Sequence, residues 1–306
     1  GVTAPILVLG GIIGNQIQHF LEYDLDLCAS STLKLQQIDE AARELGRRAR
    51  IHLKIDTGME RIGVHWDTAG ALLEAALRVE HCELVGVFSH LAAADAQDPR
   101  TTRLQLERFL ECTDFFARRS VPTPMRHLAN SGALLQHPDT LLDGVRPGLM
   151  LYGLYPNDSV PRSIEVAPAL SLESRVVFFK VVRAGSPVSY DGTWVAPEDT
   201  RVVTVPVGYG DGYSRALSGK AEVLIGGRRH PVVGRITMDA LMVDIGRESA
   251  FNGDPVVLLG RQGDAAITAS ELAHKQGTIP WEVLTSINTR VPRRYVSREG
   301  NPLATD

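Results

Sequence analysis

Hydrophobic and polar positions alternate in two different rhythms along this chain. Up to about residue 155, short apolar runs are separated by longer segments whose apolar residues recur every three or four positions. Such alternation predicts parallel βα units. The predicted strands are Ile6 to Leu9, Leu25 to Cys28, Ile51 to Ile55, Leu84 to Phe88, Met125 to Leu128 and a short one at Val145. Between the second and third, Leu33, Leu35, Ile38, Ala41 and Leu45 form one helical stripe against a sheet. This makes about six βα units, where a closed (β/α)8 barrel needs eight.

From Pro156 to Pro168 the sequence turns Asn-, Asp-, Ser- and Pro-rich and reads as a linker. Beyond it, runs at Val176 to Val182, Val202 to Val207, Ala221 to Ile225, Pro231 to Ile236, Leu241 to Ile245 and Pro255 to Leu259 are parted by Gly, Asp and Pro turns. That pattern predicts a mostly antiparallel β domain, with short helices near Ser270 to Lys275 and Trp281 to Ser286. The division expected is an α/β barrel over residues 1–160 and a C-terminal β domain over 161–306.

Composition narrows the function. With 306 residues, 44% of them hydrophobic, the chain can bury a full core. A formal net charge of -4 leaves no basic footprint, so neither nucleic acid nor an acidic membrane surface is an expected partner. Cys28, Cys82 and Cys112 show neither CxxC spacing nor an even count, which points to small buried residues rather than a disulfide framework or zinc site.

Polar groups recur at successive strand ends: Lys54 and Arg61, Ser89 and His90, Asn130 and Ser131, then Arg146, Gly148 and Leu149. In a parallel barrel that end carries the chemistry. Ser131 can cap the following helix, and the amides at Ser131 and at Gly148-Leu149 can hold a phosphate. Each has a plainer reading as well, since a Ser at a helix start is commonly a cap and His90 could be a hydrogen-bonded core residue. In the second half, glycine-marked turns hold Tyr190, Tyr209 and Arg235. Gly208, Gly210 and Gly212 do not match the dinucleotide spacing GxGxxG. No Gly-x-Ser-x-Gly elbow or metal-spaced His cluster appears, which argues against a plain hydrolase.

The ordered segments HLKIDTGMERIG, GVFSHLAAAD, RHLANSGA, GVRPGLMLYGLYP, VSYDGTW, VPVGYGDGYSR, VGRITMD and VLLGRQG, running on to RVPRRYV, resemble the alanine racemases over nearly the whole chain. The resemblance implies a pyridoxal 5'-phosphate-binding (β/α)8 barrel followed by a β domain, in a cytoplasmic homodimer whose active sites take residues from both subunits. The implied reaction interconverts L- and D-alanine by two-base proton transfer at Cα. A serine or broad-specificity racemase and a non-catalytic cofactor-binding relative are the alternatives.

The resemblance also implies roles. Arg146 matches the arginine that bonds the pyridine nitrogen, with His127 supporting it, and Arg61 the residue reaching the cofactor's phenolic oxygen and the substrate carboxylate. Lys54 matches a carbamylated lysine that orients that arginine, His90 the histidine beside the cofactor, and Ser131, Gly148 and Leu149 the phosphate-binding positions. Tyr190 matches the acid/base on one face of Cα, and the backbone amide of Met238 a contact to the substrate carboxylate. Tyr209, Arg215 and Arg235 match a substrate corridor. Two departures stand out. The family's cofactor lysine lies in an N-terminal motif resembling KAxAYGHG that this chain does not contain, so the lysine is expected upstream of Gly1. In TIPWEVLTSI, Trp281 occupies the place of a tyrosine that bonds the phosphate, and indole offers one donor and no acceptor.

Overall fold

The computed structural model describes residues 2–297, which form two units. Of these, residues 2–151 and 155–166 belong to the first, and residues 152–154 and 167–297 to the second.

In the first unit the strands are β1 (Leu27–Ala29), β2 (Ala49–Asp56), β3 (Val64–His65), β4 (Cys82–Phe88), β5 (Met125–Asn130) and β6 (Gly144–Arg146). The helices are α1 (Ile17–Glu22), α2 (Thr32–Glu44), α3 (Gly70–Ala76), α4 (Arg100–Arg118), α5 (Ser131–Gln136) and α6 (Gly148–Leu151). The main ladder runs β1-β2-β4-β5-β6, all parallel, with β3 beside the end of β2. A parallel bridge from Leu7 to Asp26 extends it on the β1 side. This is the parallel strand-helix arrangement of an α/β barrel. The Leu7 bridge and β1, β2, β4, β5 and β6 fall where the six apolar runs predict them, whereas β3, parallel to β2, was not predicted.

One face of the ladder meets the helices. Ile51, Leu53 and Ile55 of β2 join Leu35 and Ile38 of α2, Phe109 and Phe116 of α4, and Leu128 of β5 in one core. Ser31 caps α2 by accepting from Lys34 N at 3.0 Å. The stripe expected on α2 is rotated, because Leu35, Ile38 and Ala42 are buried while Leu33 and Leu45 are exposed. Strand residues alternate between faces, so Arg50, His52, Lys54 and Asp56 lie opposite the helices. His52, Lys54 and Asp56 are nonetheless buried.

The segment expected as a linker is tied down at its first part. Val160 packs with Leu135 and Met150, Asn157 Nδ2 donates to Asp95 O at 2.8 Å, and the Tyr155 hydroxyl donates to Ile164 O at 2.8 Å.

The second unit contains β7 (Leu172–Arg175), β8 (Phe178–Val182), β9 (Pro187–Val188), β10 (Trp194–Val195), β11 (Thr200–Val205), β12 (Glu222–Ile225), β13 (Arg228–Val233), β14 (Leu241–Gly246), β15 (Pro255–Gln262) and β16 (Ala265–Ile267), with α7 (Ala269–Gln276) and α8 (Pro280–Ser286) at its end. An antiparallel sheet runs β16-β15-β12-β13-β14-β11-β8, with β7 on β15 and a separate β9-β10 hairpin. The single strand expected over Val176 to Val182 is the shorter β8, Phe178–Val182, and β7 lies wholly before it at Leu172–Arg175. β7 pairs with β15 and β8 with β11, and the chain changes neighbours at Val176 and Val177, whose amides bond Asp254 O and Thr204 O. Thr268 caps α7 through Glu271 N at 3.1 Å, and Gly277, at φ 78°, closes it in the left-handed region.

Phe109, wholly buried between α4 and the sheet, is the residue whose truncation tests this core. Phe109→Ala should cost about 3–5 kcal/mol, read as a lowered urea midpoint; a loss under about 1 kcal/mol would mean that α4 is not packed as described.

Candidate active site

The first site region lies at the carboxyl ends of β2, β4, β5 and β6. Its floor is Phe88, the last residue of β4. Lys54 Nζ stands 4.6 Å and the Arg146 guanidinium 5.4 Å from the centre of its ring. His127 stacks on the same ring, centroids 4.8 Å apart and planes 7° from parallel. Neighbouring-strand register produces this layer, since Lys54 pairs with Phe88 and Phe88 with His127.

Arg146 is held by four hydrogen bonds. Nη1 donates to His127 Nδ1 and to His127 O, both at 2.8 Å, while Nη2 donates to Ser89 O at 2.7 Å and Leu128 O at 3.1 Å. No carboxylate lies within ion-pair distance of it among the described residues. Burial lowers Arg146 to about 10, so it remains charged near neutrality. Burial first, and the Arg146 charge second, lower Lys54 to about 8. His90 is pushed down to about 4 by burial and then by Arg146, Lys54 and Arg61. His127 falls to about 3, again from burial first and the neighbouring charges after it. Both imidazoles are neutral in this setting.

The turn after β2 is organised by Asp56. Its Oδ1 accepts from Gly58 N at 2.8 Å and Met59 N at 2.9 Å, and its Oδ2 from Arg61 N at 3.2 Å. Burial would raise this carboxyl, but the backbone donors outweigh it and hold it below the usual range. Arg61 is thereby carried at the rim. Gly63, at φ 119°, lets the returning chain lie against Lys54, where a Cβ would stand 2.9 Å from Lys54 Cγ and Lys54 O.

The starts of α5 and α6 are neighbours, since Met150 N donates to the buried Ser131 Oγ at 3.4 Å. Ser131 is not the cap of α5. Asn130 is, accepting from Ala133 N at 3.1 Å, which leaves Ser131 as the first helical residue. Gly148 and Leu149 open α6.

In the second unit, Tyr190 is 68% exposed on a turn where Ser189 (φ 66°) and Asp191 (φ 61°) both take the left-handed region. Non-glycine residues there cost energy and persist only when their surroundings impose them. Here Ser189 Oγ donates to Arg235 O at 2.7 Å, and Asp191 faces Arg235 at 3.6 Å. Gly234 makes room, since a Cβ would lie 2.7 Å from Ser189 Cβ and Val188 O. The Met238 turn is pinned similarly, Gly210 N donating to Met238 O at 2.7 Å and Tyr209 N to Thr237 O at 3.0 Å. Trp281 sits in the first turn of α8, 36% exposed, and Tyr209 and Met238 are exposed as well.

Arg146, Lys54, His90 and His127 thus share one site in the first unit, with Arg61 on its rim and Ser131, Gly148 and Leu149 at the two adjoining helix starts. Tyr190, Met238 and Trp281 belong to the second unit. The strand-and-turn motifs VSYDG and VGRITMD meet there through Ser189 and Arg235.

Residues 1–156 match the family described as alanine racemase, N-terminal domain, and residues 169–295 that described as alanine racemase, C-terminal domain. The chain belongs to the alanine racemase family. The alanine racemase of Symbiobacterium thermophilum is 44% identical over 296 residues, covering 96% of this chain and 78% of that protein. Among solved structures, the alanine racemase of Clostridium difficile 630 superposes with a TM-score of 0.91 at 34% identity over 99% of this chain and 79% of its own. That of Bartonella henselae, with covalently bound pyridoxal phosphate, gives 0.83 at 26% identity over 95% and 79%.

Several residues that shape this strand-end region carry no motif. Gln105 and Arg108 on α4 reach the two strand-end turns, Gln105 Nε2 donating to His90 O at 3.1 Å and Arg108 Nη1 to Thr57 O at 2.9 Å. The available signal is that Thr102 and Gln105 are polar residues on the buried stripe of an otherwise amphipathic helix. His52 and Asp26, which contact each other at 3.4 Å, were equally silent.

The depressed histidines set a pH dependence. In the unfolded chain imidazole titrates near about 6.5, whereas His127 and His90 in the fold titrate at about 3 and about 4. Between those values the unfolded chain binds more protons, so stability is complete above about pH 6.5 and falls as the pH is lowered toward 4. Denaturant melts across that range should show the decline, and His127→Gln should make it shallower. A wild-type stability that is flat from pH 7 to 4.5 would contradict buried neutral imidazoles.

Proposed function

We propose that the strand-end site of the first unit holds pyridoxal 5'-phosphate and works with Tyr190 to move the Cα proton of alanine. The protein is a pyridoxal phosphate-dependent amino-acid racemase acting on alanine. One observation carries the assignment of the site. Lys54 and Arg146 place positive charge over Phe88, Arg61 stands in the turn at the rim, and Asp56 is committed to that turn. Buried positive charge without a balancing acid calls for an anionic occupant.

The residues fit this cofactor. Its phosphate suits the adjoining helix starts, where Ser131 and the amides of Gly148 and Leu149 are donors, and the single N–H of Trp281 can add one more. Its phenolic oxygen suits Arg61. Pyridoxal phosphate, when bound, supplies an electron sink that makes the Cα–H bond of an amino acid labile. Arg146 is assigned to its ring nitrogen. Because a guanidinium in a protein keeps its proton, that nitrogen stays unprotonated and electron withdrawal is restrained, which favours simple racemisation.

Tyr190 takes or returns the proton on one face of Cα, and neutral His90 can hydrogen-bond its phenol. Arg61 and the backbone amide of Met238 hold the substrate carboxylate. Lys54 is assigned as a carbamate: its lowered pKa leaves a fraction of neutral amine at physiological pH that can add carbon dioxide and release a proton. The charge next to Arg61 then changes from repulsive to attractive. In solution the enzyme is assigned as a homodimer, Tyr190, Met238 and Trp281 of one copy serving the strand-end site of the other. Three free buried cysteines suit a reducing compartment, and the cytoplasm is the location assigned.

Tyr190→Phe in the cofactor-loaded enzyme should lower racemisation by roughly 10²- to 10⁴-fold and slow Cα hydrogen-deuterium exchange mainly from one enantiomer. Equal slowing from both would remove Tyr190 from the one-sided role. Lys54→Ala should lose activity that added short carboxylates partly restore; full activity without them would make Lys54 only structural.

A further inference from the structure

Arg146 lies at one end of a buried file of polar groups that passes through two histidines to a carboxylate. A guanidinium only donates, so the His127 Nδ1 it meets at 2.8 Å carries a bare lone pair. Neutral His127 therefore has its proton on Nε2, aimed at His52 Nδ1, 2.9 Å away. His52 Nδ1 must accept, which puts the His52 proton on Nε2, facing Asp26 Oδ2 at 3.4 Å. Asp26 is itself fixed by Arg50, whose Nε and Nη2 donate to its two oxygens at 2.7 and 3.1 Å. One placement of protons satisfies every step. An imidazolium at His52 would need His127 Nε2 to accept while His127 Nδ1 also accepts from Arg146, which would make His127 an imidazolate.

The backbone makes room for this file. Gly86 of β4 is paired with His52, and a Cβ there would stand 2.3 Å from His52 Nδ1 and 2.7 Å from its Cε1. Phe88 fixes the plane of the His127 ring by stacking, but a half-turn about Cβ–Cγ returns the ring to the same plane with Nδ1 and Cδ2 exchanged. Only the bonds at its two nitrogens keep Nδ1, rather than Cδ2, facing Arg146.

We propose that His52 is a positioning residue for racemisation: anchored on Asp26, it fixes His127 as the Nε2–H tautomer, whose bare Nδ1 holds the Arg146 guanidinium toward the cofactor. This rests on the assignment of Arg146 to the ring nitrogen. Without His52, the His127 N–H is buried with no partner, a penalty comparable to the bond from Arg146, and turning the ring over becomes competitive.

The test is ¹⁵N NMR of histidine-labelled, cofactor-loaded enzyme together with steady-state kinetics. In the wild type, His127 and His52 should each show a bare Nδ1 and a protonated Nε2 at neutral pH. His52→Phe keeps a ring of similar size and removes both bonds, so His127 should lose its single-tautomer pattern and kcat should fall about tenfold or more. His52→Gln can accept from His127 and donate to Asp26, and should restore both the pattern and most of kcat. If His52→Phe does not fold, the wild-type spectrum and His52→Gln decide. A wild-type His127 protonated on Nδ1, or loss of its pattern in His52→Gln, overturns the proposal. An unchanged kcat in folded His52→Phe also overturns it, while leaving the racemase assignment, which the Tyr190→Phe exchange experiment reads separately.

Discussion

Positive charge that the fold buries without giving it an acid is the constraint on which this molecule's first unit depends. Arg146 is bonded to one imidazole nitrogen and three carbonyl oxygens, and Lys54 sits over an aromatic face. Desolvation weakens both charges. The arrangement is tolerable because neutral histidines and main-chain dipoles surround the cations, and because Asp56 is diverted into ordering its own loop. Such a site spends stability on readiness to receive an anion.

That constraint reaches back to the strand sequences. β2 places Arg50, His52, Lys54 and Asp56 on one face and Ile51, Leu53 and Ile55 on the other. Alternation of this kind commonly marks a strand with one face in water. Here His52, Lys54 and Asp56 are buried, and the face they line contains the polar file and the cationic site. Gly86 belongs to the same logic, as a residue whose lack of a side chain admits the ring of His52.

The parallel strands other than β3 and most of the antiparallel ones were legible because each is an apolar run bounded by turn residues, and burial of such a run dominates its local energetics. β7 was not, since Leu172–Arg175 is largely polar, and the apolar string from Val176 to Val182 gives no sign that its first two residues only carry the chain from β15 across to β11. The phase of α2 was misjudged because Leu33 and Leu45 are hydrophobic yet exposed. At the site, Lys54, Arg61, His90 and Arg146 could be read from strand ends, and the role of His127 from resemblance. Asp26, His52, Gln105 and Arg108 act through contacts across 13 to 75 positions of sequence, and no local spacing encodes them. The cap at Asn130 rather than Ser131 is a one-residue choice that two adjacent capping residues leave open.

In the second unit the exposed Tyr190 is presented by a turn whose left-handed Ser189 and Asp191 are fastened to Arg235, which suits the acid/base role proposed for it. In the proposed function the first unit holds the cofactor's ring nitrogen through Arg146, a charge that is not exchanged for a proton. The most direct measurement is ¹⁵N NMR of the enzyme loaded with pyridoxal phosphate labelled at its ring nitrogen. The wild type should show the resonance of an unprotonated pyridine nitrogen, moving to the pyridinium position in Arg146→Glu; a pyridinium resonance in the wild type near neutral pH would contradict the role given to Arg146.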